Sequence, residues 1–480
     1  MHDVLFTNAT VVDGTNGQPF SADVAIRNDR ITAVGDLSSA TATTVIDATG
    51  QVLAPGFIDA HTHDDNVLLQ RNDMTPKVSQ GVTTVVAGNC GISIAPLRHA
   101  SPPPPLDLLG KSDSYRFDTF ADYLEALDSQ PAAVNATCLL GHSTLRAATM
   151  KDLDRTATSA EITTMQKIVG DALDAGAIGV STGIFYPTAR AATTEEIIEV
   201  CRPLSDHKAL YTTHMRDESD HVMESLEESF QIGRALDVRV IISHHKVTGK
   251  QNFGRSVETL ALISDYMQKQ DIGLDVYPYT AASTILEPSM ARLASRVMVT
   301  WCVPYPEHTG RDLSKIADEN GWTLEQAVEA LSPAGGIYFV MDEADVQRIM
   351  QFEPSMIGSD GLPQDAHPHP RLWGTFPRVL GHYSRDLGLF PLQTAVWKMT
   401  GLTAERFGIK DRGVIKPGAY ADLVMFDPDT IAEAATFETP ATPSIGINAV
   451  YVNGIQAWDG NTGHTGARSG RVLRPANGSS

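Results

Sequence analysis

The sequence predicts an α/β protein built around a (β/α)8 barrel. In the middle of the chain, short apolar strands alternate with amphipathic helices, a pattern typical of a parallel sheet covered by helices. Eight strands can be counted, the number that closes a barrel of this class. The predicted strands are 52–61, 82–87, 136–141, 177–181, 209–213, 238–243, 272–277 and 355–358. The predicted helices include 160–175, 194–204, 220–235 and 256–269.

The two ends of the chain predict a second, smaller domain. Short strands separated by turn residues recur there, at 4–10, 23–27, 30–34, 44–47, 413–418, 421–426 and 449–454. We expect residues 1–54 and 414–480 to form one small β-sandwich beside a barrel spanning 55–413. The long interval between the seventh and eighth strands predicts a subdomain inserted over 285–342, near the barrel mouth.

The composition restricts the function classes. With 37 Lys and Arg against 58 Asp and Glu, the formal net charge of −21 argues against binding to nucleic acid or to an anionic membrane. No apolar run reaches the roughly 18 residues of a membrane span, and the start lacks a signal-peptide pattern. Four cysteines are too few for a disulfide framework. We expect a cytoplasmic protein that binds a small molecule, with the oligomeric state open and a monomer allowed.

The most informative motif lies at the end of the first predicted strand, where His61 and His63 close an apolar run. Residues i and i+2 of a strand share a face, so both imidazoles can approach one metal ion. A His-x-His pair is common by chance. One that ends a buried strand and is followed by Asp64 and Asp65 is much rarer and indicates a metal site.

Further metal-ligating side chains follow the ends of other predicted strands: Cys90, His214, His244 and Asp360. Reactive groups gather at the carboxyl ends of barrel strands, so we expect these side chains to meet. Cys90 could also be an inert buried thiol. His244 and His245 point to opposite faces of a strand, and we prefer His244 as the ligand. A catalytic zinc makes hydroxide available near neutral pH, and Asp360 is the leading candidate to carry the proton to a leaving amine.

Several motifs together resemble the amidohydrolase superfamily and, within it, the D-aminoacylases (N-acyl-D-amino-acid deacylases). The matching segments, in chain order, are 55–65, 88–91, 213–216, 243–246, 275–279, 358–361, 369–374 and 416–424. The resemblance implies a zinc-dependent hydrolase that cleaves the amide of N-acyl-D-amino acids to give a carboxylate and a free D-amino acid. The D preference comes from the resemblance alone.

The resemblance also implies roles for individual residues. A tightly bound zinc would be held by Cys90, His214 and His244. A second, weaker site would comprise His61, His63 and Asp360. The substrate's α-carboxylate would be held by Lys246, Tyr277 and Arg371, a set of an ammonium, a phenol and a fork-shaped guanidinium that suits an anion.

The preference for the substrate's side chain is less determined. The segment 281–286 after the seventh strand is apolar and favours hydrophobic side chains, and we place its Ser283 among the substrate-binding residues. Arg292 or Arg296 could instead reach an acidic side chain, which keeps an N-acyl-D-glutamate or N-acyl-D-aspartate deacylase as an alternative. A cyclic amidase such as a hydantoinase is a further alternative, but Cys90 and the carboxylate-binding residues argue against it.

Two remote alternatives remain. Gly179–Gly183 satisfies the Gly-x-Ser-x-Gly pattern of serine hydrolases, with Ser181 as the nucleophile. The residues that follow contain Pro187 rather than a helix start, so we interpret Ser181 as tight packing at a strand end. The second alternative is a non-catalytic scaffold. It is disfavoured because every expected ligand position is filled.

Overall fold

The structure, a computed structural model that describes residues 1–475, is a mixed α/β fold with a parallel central sheet. The central strands are Phe57–Asp59, Val82–Ala87, Asn135–Cys138 with Leu140–Gly141, Gly179–Gly183, Leu210–His214, Val240–Ile242, Ile272–Val276 and Ser355–Ile357. Each pairs in parallel with the next one along the chain. The backbone N–H of Ala60 donates to Ile357 O at 3.2 Å, so the last strand also bonds to the first. The carboxyl ends of all these strands therefore lie at one edge.

The first predicted strand, 52–61, is wrong as a single element. It divides at Gly56 into Val52–Pro55, which pairs with the chain ends, and Phe57–Asp59, which pairs with the central sheet. A Cβ on Gly56 would lie 2.1 Å from Thr83 Cγ2. At Gly56 the chain crosses from one sheet to the other at a point where only a glycine fits. The hydrophobic periodicity of the sequence does not indicate this crossing.

Strands from both chain ends form one sheet of nine strands within the described residues. They are His2–Val11, Phe20–Arg27, Arg30–Gly35, Ala42–Asp47, Val52–Pro55, Leu423–Phe426, Ile447–Val452, Ile455–Asp459 and Gly463–His464. Val52–Pro55 joins the two chain ends, since it pairs with both His2–Val11 and Leu423–Phe426. The predicted β segment 413–418 contains no strand, because Gly413 and Gly418 adopt left-handed conformations with φ of +75° and +89°.

The long interval before the last central strand contains an antiparallel sheet of Ala281–Ile285, Ala334–Phe339 and Val297–Cys302, in that spatial order. The helices in this interval are Pro288–Leu293, Leu313–Asn320 and Leu324–Leu331. The strand Ala281–Ile285 follows the seventh central strand closely. It therefore brings Ser283 to the edge where the central strands end. A minor antiparallel pair elsewhere joins Leu97–Arg98 to Arg116–Phe117.

The remaining helices connect the central strands or follow the last one. Their bounds are Val67–Gln70, Thr75–Val78, Phe120–Ser129, His142–Thr149, Ser159–Ala175, Thr194–Val200, Pro203–His207, Val222–Leu236, Ser256–Met267, Glu343–Gln351, Arg371–Arg378, Val379–Asp386 (a π-helix), Leu392–Met399 and Gly401–Arg406. The predicted helix 194–204 breaks before Pro203, which begins a new helix because proline suits a first turn. None of the helices in residues 1–475 has the length and apolarity that crossing a membrane requires.

Candidate active site

Strand ends bring four of the predicted metal ligands together. Cys90 Sγ lies 3.1 Å from His61 Nε2 and 3.2 Å from His244 Nε2. His244 Nε2 in turn lies 3.0 Å from His214 Nδ1. All four side chains are buried. Residues separated by up to 183 positions in the sequence thus point their donor atoms into one small volume.

His63 and Asp360 extend this cluster. Asp360 Oδ1 lies 3.1 Å from His63 Nε2 and 3.5 Å from His61 Nε2. The donor atoms form two sets, each within 4.8 Å: His61, His63, Cys90 and Asp360, and Cys90, His214 and His244. Thiolate, imidazole and carboxylate are the donors that zinc accepts, and three protein ligands leave a position for water. The residues present therefore fit one or two zinc ions, with Cys90 common to both sets.

Three of these residues have left-handed backbone conformations, with φ of +53° for Cys90, +36° for His244 and +50° for Asp360. A non-glycine residue in this region costs about 1–3 kcal/mol, and such residues concentrate at functional sites. Each of the three lies two or three residues beyond the end of a central strand. The strained turn directs the side chain toward the cluster instead of along the strand.

The protonation states of Cys90 and His214 suit metal binding. Burial opposes ionisation of Cys90, but His61 and His244 outweigh it and hold the pKa of the thiol well below its ordinary value. Burial lowers the pKa of His214 to about 4, which keeps this imidazole neutral. Thiolate and neutral imidazole are the protonation states that bind zinc.

The predicted substrate-binding residues lie beside the metal cluster. Arg371 Nη1 is 2.9 Å from Asp360 Oδ2, and the Arg371 guanidinium lies 4.5 Å from the centroid of the Tyr277 ring. Lys246 Nζ lies 5.7 Å from the same centroid. Arg371 Nη2 donates to the backbone carbonyl of Ser283 at 3.1 Å, while the Ser283 hydroxyl has no hydrogen-bond partner among the described residues. An ammonium, a phenol and a free hydroxyl thus face one space, and the buried Arg371 guanidinium lies against Tyr277, Ser283 and Asp360.

A cavity of about 690 Å³ opens onto this space. Its lining includes His63, His214, His244, Lys246, Tyr277, Ser283 and Asp360. Of the two candidate specificity arginines, Arg292 lines the cavity, whereas Arg296 lies outside it and pairs with Asp312 at 2.7 Å. Arg371 is fully buried and does not contribute to the cavity wall. The volume suits a small molecule that approaches the ligand cluster from the strand ends.

A family model described as the amidohydrolase family matches residues 44–328 and 346–457. The chain belongs to the amidohydrolase family. This amidohydrolase is 62% identical over 471 residues to a D-aminoacylase of Alcaligenes xylosoxydans xylosoxydans, and the match covers 98% of this chain and 97% of that protein.

Two solved structures are similar over almost the whole chain. One is a D-aminoacylase with a binuclear metal centre, for which one-metal activation and second-metal attenuation are described. It is 62% identical, with a TM-score of 0.97 over 99% of this chain and 100% of that one. The other is an N-acyl-D-glutamate deacylase from Bordetella bronchiseptica, complexed with zinc and a phosphonate inhibitor that mimics the tetrahedral intermediate. It is 43% identical, with a TM-score of 0.94 over 98% and 99% of the two chains.

Asp275 positions two of the histidines of this amidohydrolase, although no motif singled out its role. Asp275 Oδ1 accepts from the backbone N–H of His244 at 2.9 Å and lies 3.3 Å from His61 Nδ1. A carboxylate at Nδ1 fixes the tautomer that leaves Nε2 free for a metal. His245 points away, and its Nε2 lies 2.9 Å from Thr259 Oγ1. Of these two histidines His244 therefore faces the cluster, and its role as a metal ligand stays a prediction.

Lys77 ties the first and last central strands together. Its ammonium is fully buried and donates to Asp59 Oδ2 at 2.8 Å and to Ser359 Oγ at 2.9 Å, with Asp64 Oδ2 at 3.3 Å. Asp59 Oδ1 also accepts from the backbone N–H of Ser359 at 2.7 Å. This network fixes the residue before Asp360. The apolar stretch around Asp59 could have signalled a buried carboxylate, but nothing local identifies Lys77 as its partner.

The surroundings of Ser181 favour the predicted packing role over the serine-hydrolase alternative. Its hydroxyl donates to Gly88 O at 2.5 Å and accepts from the backbone N–H of Gly91 at 3.0 Å. The strand Gly179–Gly183 continues into turns and not into the helix that a nucleophilic elbow requires. Ser181 therefore holds the loop that carries Cys90. The other three cysteines are buried free thiols.

Proposed function

We propose that this chain is a zinc-dependent hydrolase that cleaves N-acyl-D-amino acids to a carboxylate and a free D-amino acid. The observation that carries the proposal is the buried set Cys90, His214 and His244 beside Asp360, next to the cationic residues Lys246 and Arg371. The metal donors match a hydrolytic zinc, and the cations match a substrate that carries a carboxylate. The near full-length identity to a D-aminoacylase supports the linear amide and the D configuration.

The metal would be held tightly by Cys90, His214 and His244, with His61, His63 and Asp360 as a second set. When bound, zinc polarises the acyl carbonyl and lowers the pKa of water to near neutrality. Asp360 is ionised, because Arg371 and the nearby histidines outweigh burial and hold its pKa well below the ordinary value. Its carboxylate takes the proton of the attacking water and returns it to the departing nitrogen.

Arg371, Lys246 and Tyr277 orient the substrate through its α-carboxylate. A carboxylate placed against Arg371 competes with Asp360 for the same guanidinium, at 2.9 Å in the structure. Substrate binding thereby weakens the interaction that keeps Asp360 deprotonated. The carboxyl group can then hold the proton between its two transfers.

The proposal is tested with purified protein and four compounds: N-acetyl-D-methionine, its L-enantiomer, N-acetyl-D-glutamate and a hydantoin. We expect hydrolysis of the N-acetyl-D-amino acids only, and zinc in the active sample by elemental analysis. Turnover of the hydantoin with no release of free D-amino acid would overturn the proposal, and so would full activity in protein that contains no metal.

Hydrophobic side chains are the preferred class, in accordance with the apolar segment 281–286. Phe185, Met290 and Leu293 also line the cavity. Arg292 favours the second candidate, an acidic side chain. Its nearest acidic group is Glu325 at 3.7 Å, and its side chain is 57% exposed, so its charge is available to a ligand. Comparison of kcat/KM for N-acetyl-D-methionine and N-acetyl-D-glutamate decides between the two.

We further propose that the central sheet is a (β/α)8 barrel over 55–413, supported by its parallel order and by the bond between Ala60 and Ile357. Residues 1–54 and 414–480 would form the β-sandwich domain, supported by the sheet that both chain ends share, and 285–342 the inserted subdomain. Residues 476–480 lie outside the described residues. The cytoplasmic location and the monomeric state stay predictions.

A further inference from the structure

Glu218 lies between the metal ligands and the substrate-binding lysine. Its Oε1 is 3.1 Å from His244 Nδ1 and 2.7 Å from Lys246 Nζ, and its Oε2 is 3.9 Å from His214 Nε2. The other ring nitrogens of the two histidines, His244 Nε2 and His214 Nδ1, lie 3.0 Å apart, and His244 Nε2 lies 3.2 Å from Cys90 Sγ. One carboxylate therefore faces the outer nitrogens of two ligands and the ammonium beside them.

The position of Glu218 is fixed by its backbone. Its carbonyl oxygen accepts from the backbone N–H of Thr248 at 2.8 Å and from the Thr248 hydroxyl at 3.0 Å. Thr248 belongs to the segment that follows the sixth central strand and carries His244 and Lys246. The Glu218 side chain is 10% exposed. These bonds join the segments after the fifth and sixth strands, so the carboxylate does not depend on a mobile surface loop.

We infer that Glu218 is a positioning residue that orients His244, one of the zinc-binding histidines, and holds Lys246 until substrate arrives; this inference rests on the proposed function. A neutral imidazole that binds a metal through Nε2 carries its proton on Nδ1. Lys246 Nζ lies 2.6 Å from His244 Nδ1, but an ammonium cannot accept that proton. Glu218 is the acceptor within reach. Carboxylates placed in this way typically change metal affinity 10–100-fold when removed.

The contact with Lys246 has the opposite consequence for substrate. Glu218 is the anion that Lys246 pairs with in the structure, so a substrate carboxylate must share or replace it. Removal of Glu218 leaves the ammonium free for the substrate. Zinc affinity should therefore fall while substrate affinity does not. A general loss of structure would weaken both.

The test compares Glu218→Ala and Glu218→Gln with wild type and with the control Glu224→Gln. Glu224 is an acidic residue of the same region whose side chain is 71% exposed and whose ion-pair partner among residues 1–475 is His221, at 3.6 Å. Zinc dissociation constants are measured without substrate, by competition with a chromogenic chelator. We expect zinc binding 10–100-fold weaker for Glu218→Ala and a smaller loss for Glu218→Gln, whose amide oxygen can still accept a hydrogen bond. The control should match wild type.

The second measurement is kinetic, with N-acetyl-D-methionine at saturating zinc. We expect a lower kcat and a KM equal to or below that of wild type. Zinc dissociation constants within twofold of wild type for both variants would overturn the role toward His244. A KM raised tenfold in step with weaker zinc binding would overturn the role toward Lys246. If Glu218→Ala does not fold, Glu218→Gln carries the comparison. If wild type itself hydrolyses no N-acyl-D-amino acid, the proposed function fails while the zinc comparison still stands.

Discussion

Replacement of Asp360 by Asn is the most direct test of the catalytic assignment. The amide keeps the size of the side chain but cannot accept the proton of water. In the structure Asp360 contacts Arg371 Nη1 at 2.9 Å, His63 Nε2 at 3.1 Å and His61 Nε2 at 3.5 Å. It is the carboxylate shared by the cluster and the cavity wall. No second base is therefore placed to substitute for it among the described ligand residues.

The expected magnitude follows from this geometry. Loss of a positioned general base and acid lowers kcat by about 10²–10⁴-fold, or about 3–5 kcal/mol of activation free energy. KM should not rise, because Arg371 loses a competing carboxylate. One zinc should remain, because Cys90, His214 and His244 form a set that does not include Asp360. The buried Arg371 without its partner should also lower the free energy of unfolding by about 3 kcal/mol.

The assays are steady-state kinetics with N-acetyl-D-methionine, elemental analysis for zinc and urea unfolding. Asp365→Asn is the matched control. Asp365 is buried on the same loop, has no hydrogen-bond partner for its oxygens among the described residues, and has a pKa that burial raises to about 7. An Asp360→Asn variant that keeps more than a tenth of the wild-type kcat would refute the mechanism. A variant that loses all zinc would refute the separation of the two ligand sets.

Three further predictions follow from other parts of the structure. Arg371→Lys keeps the charge but loses the forked guanidinium that reaches the Ser283 carbonyl, so KM for N-acetyl-D-methionine should rise about 10–100-fold. KM for the α-amide of the same compound, which lacks the carboxylate, should show no such rise. Equal effects on both compounds would contradict the role of Arg371 in binding the carboxylate. Removal of metal by a chelator should abolish activity, and added zinc should restore it. A fluorophosphonate reagent should have no effect on activity, because the Ser181 hydroxyl donates its hydrogen bond to Gly88 O. Covalent labelling of Ser181 with loss of activity would contradict this prediction. Burial, and to a smaller extent Arg146, lower the pKa of His142 from 6.5 to about 3. Between pH 6.5 and pH 3 this histidine is therefore protonated in the unfolded chain but neutral in the folded chain. The stability this histidine contributes is complete above pH 6.5 and is lost as the pH falls, by about 1.4 kcal/mol per unit. His142→Phe should therefore lose less stability than wild type between pH 6 and pH 4 in urea unfolding, and parallel losses would exclude His142 as the cause.

The order of the central strands and the position of the candidate ligands after their ends were predictable from the sequence. Hydrophobic periodicity indicates which segments are buried strands, and the alternation of strand faces predicts that His244 and His245 point in opposite directions. The division of the first predicted strand at Gly56 was not predictable. It depends on a contact with Thr83 in a neighbouring strand, which leaves no trace in the local pattern.

The sequence by itself predicted the chemistry of the candidate site, because metal ligands must be of particular residue types and must follow strand ends to meet. It identified all six candidate ligands and the two cations beside them. Tertiary structure alone decided how these groups are held. Asp275, Lys77 and Glu218 are ordinary charged residues in the sequence, and their importance depends on burial and on partners from distant segments. Burial of a charge is a property of the whole fold, so the residues that orient the ligands become visible only when the strands are assembled.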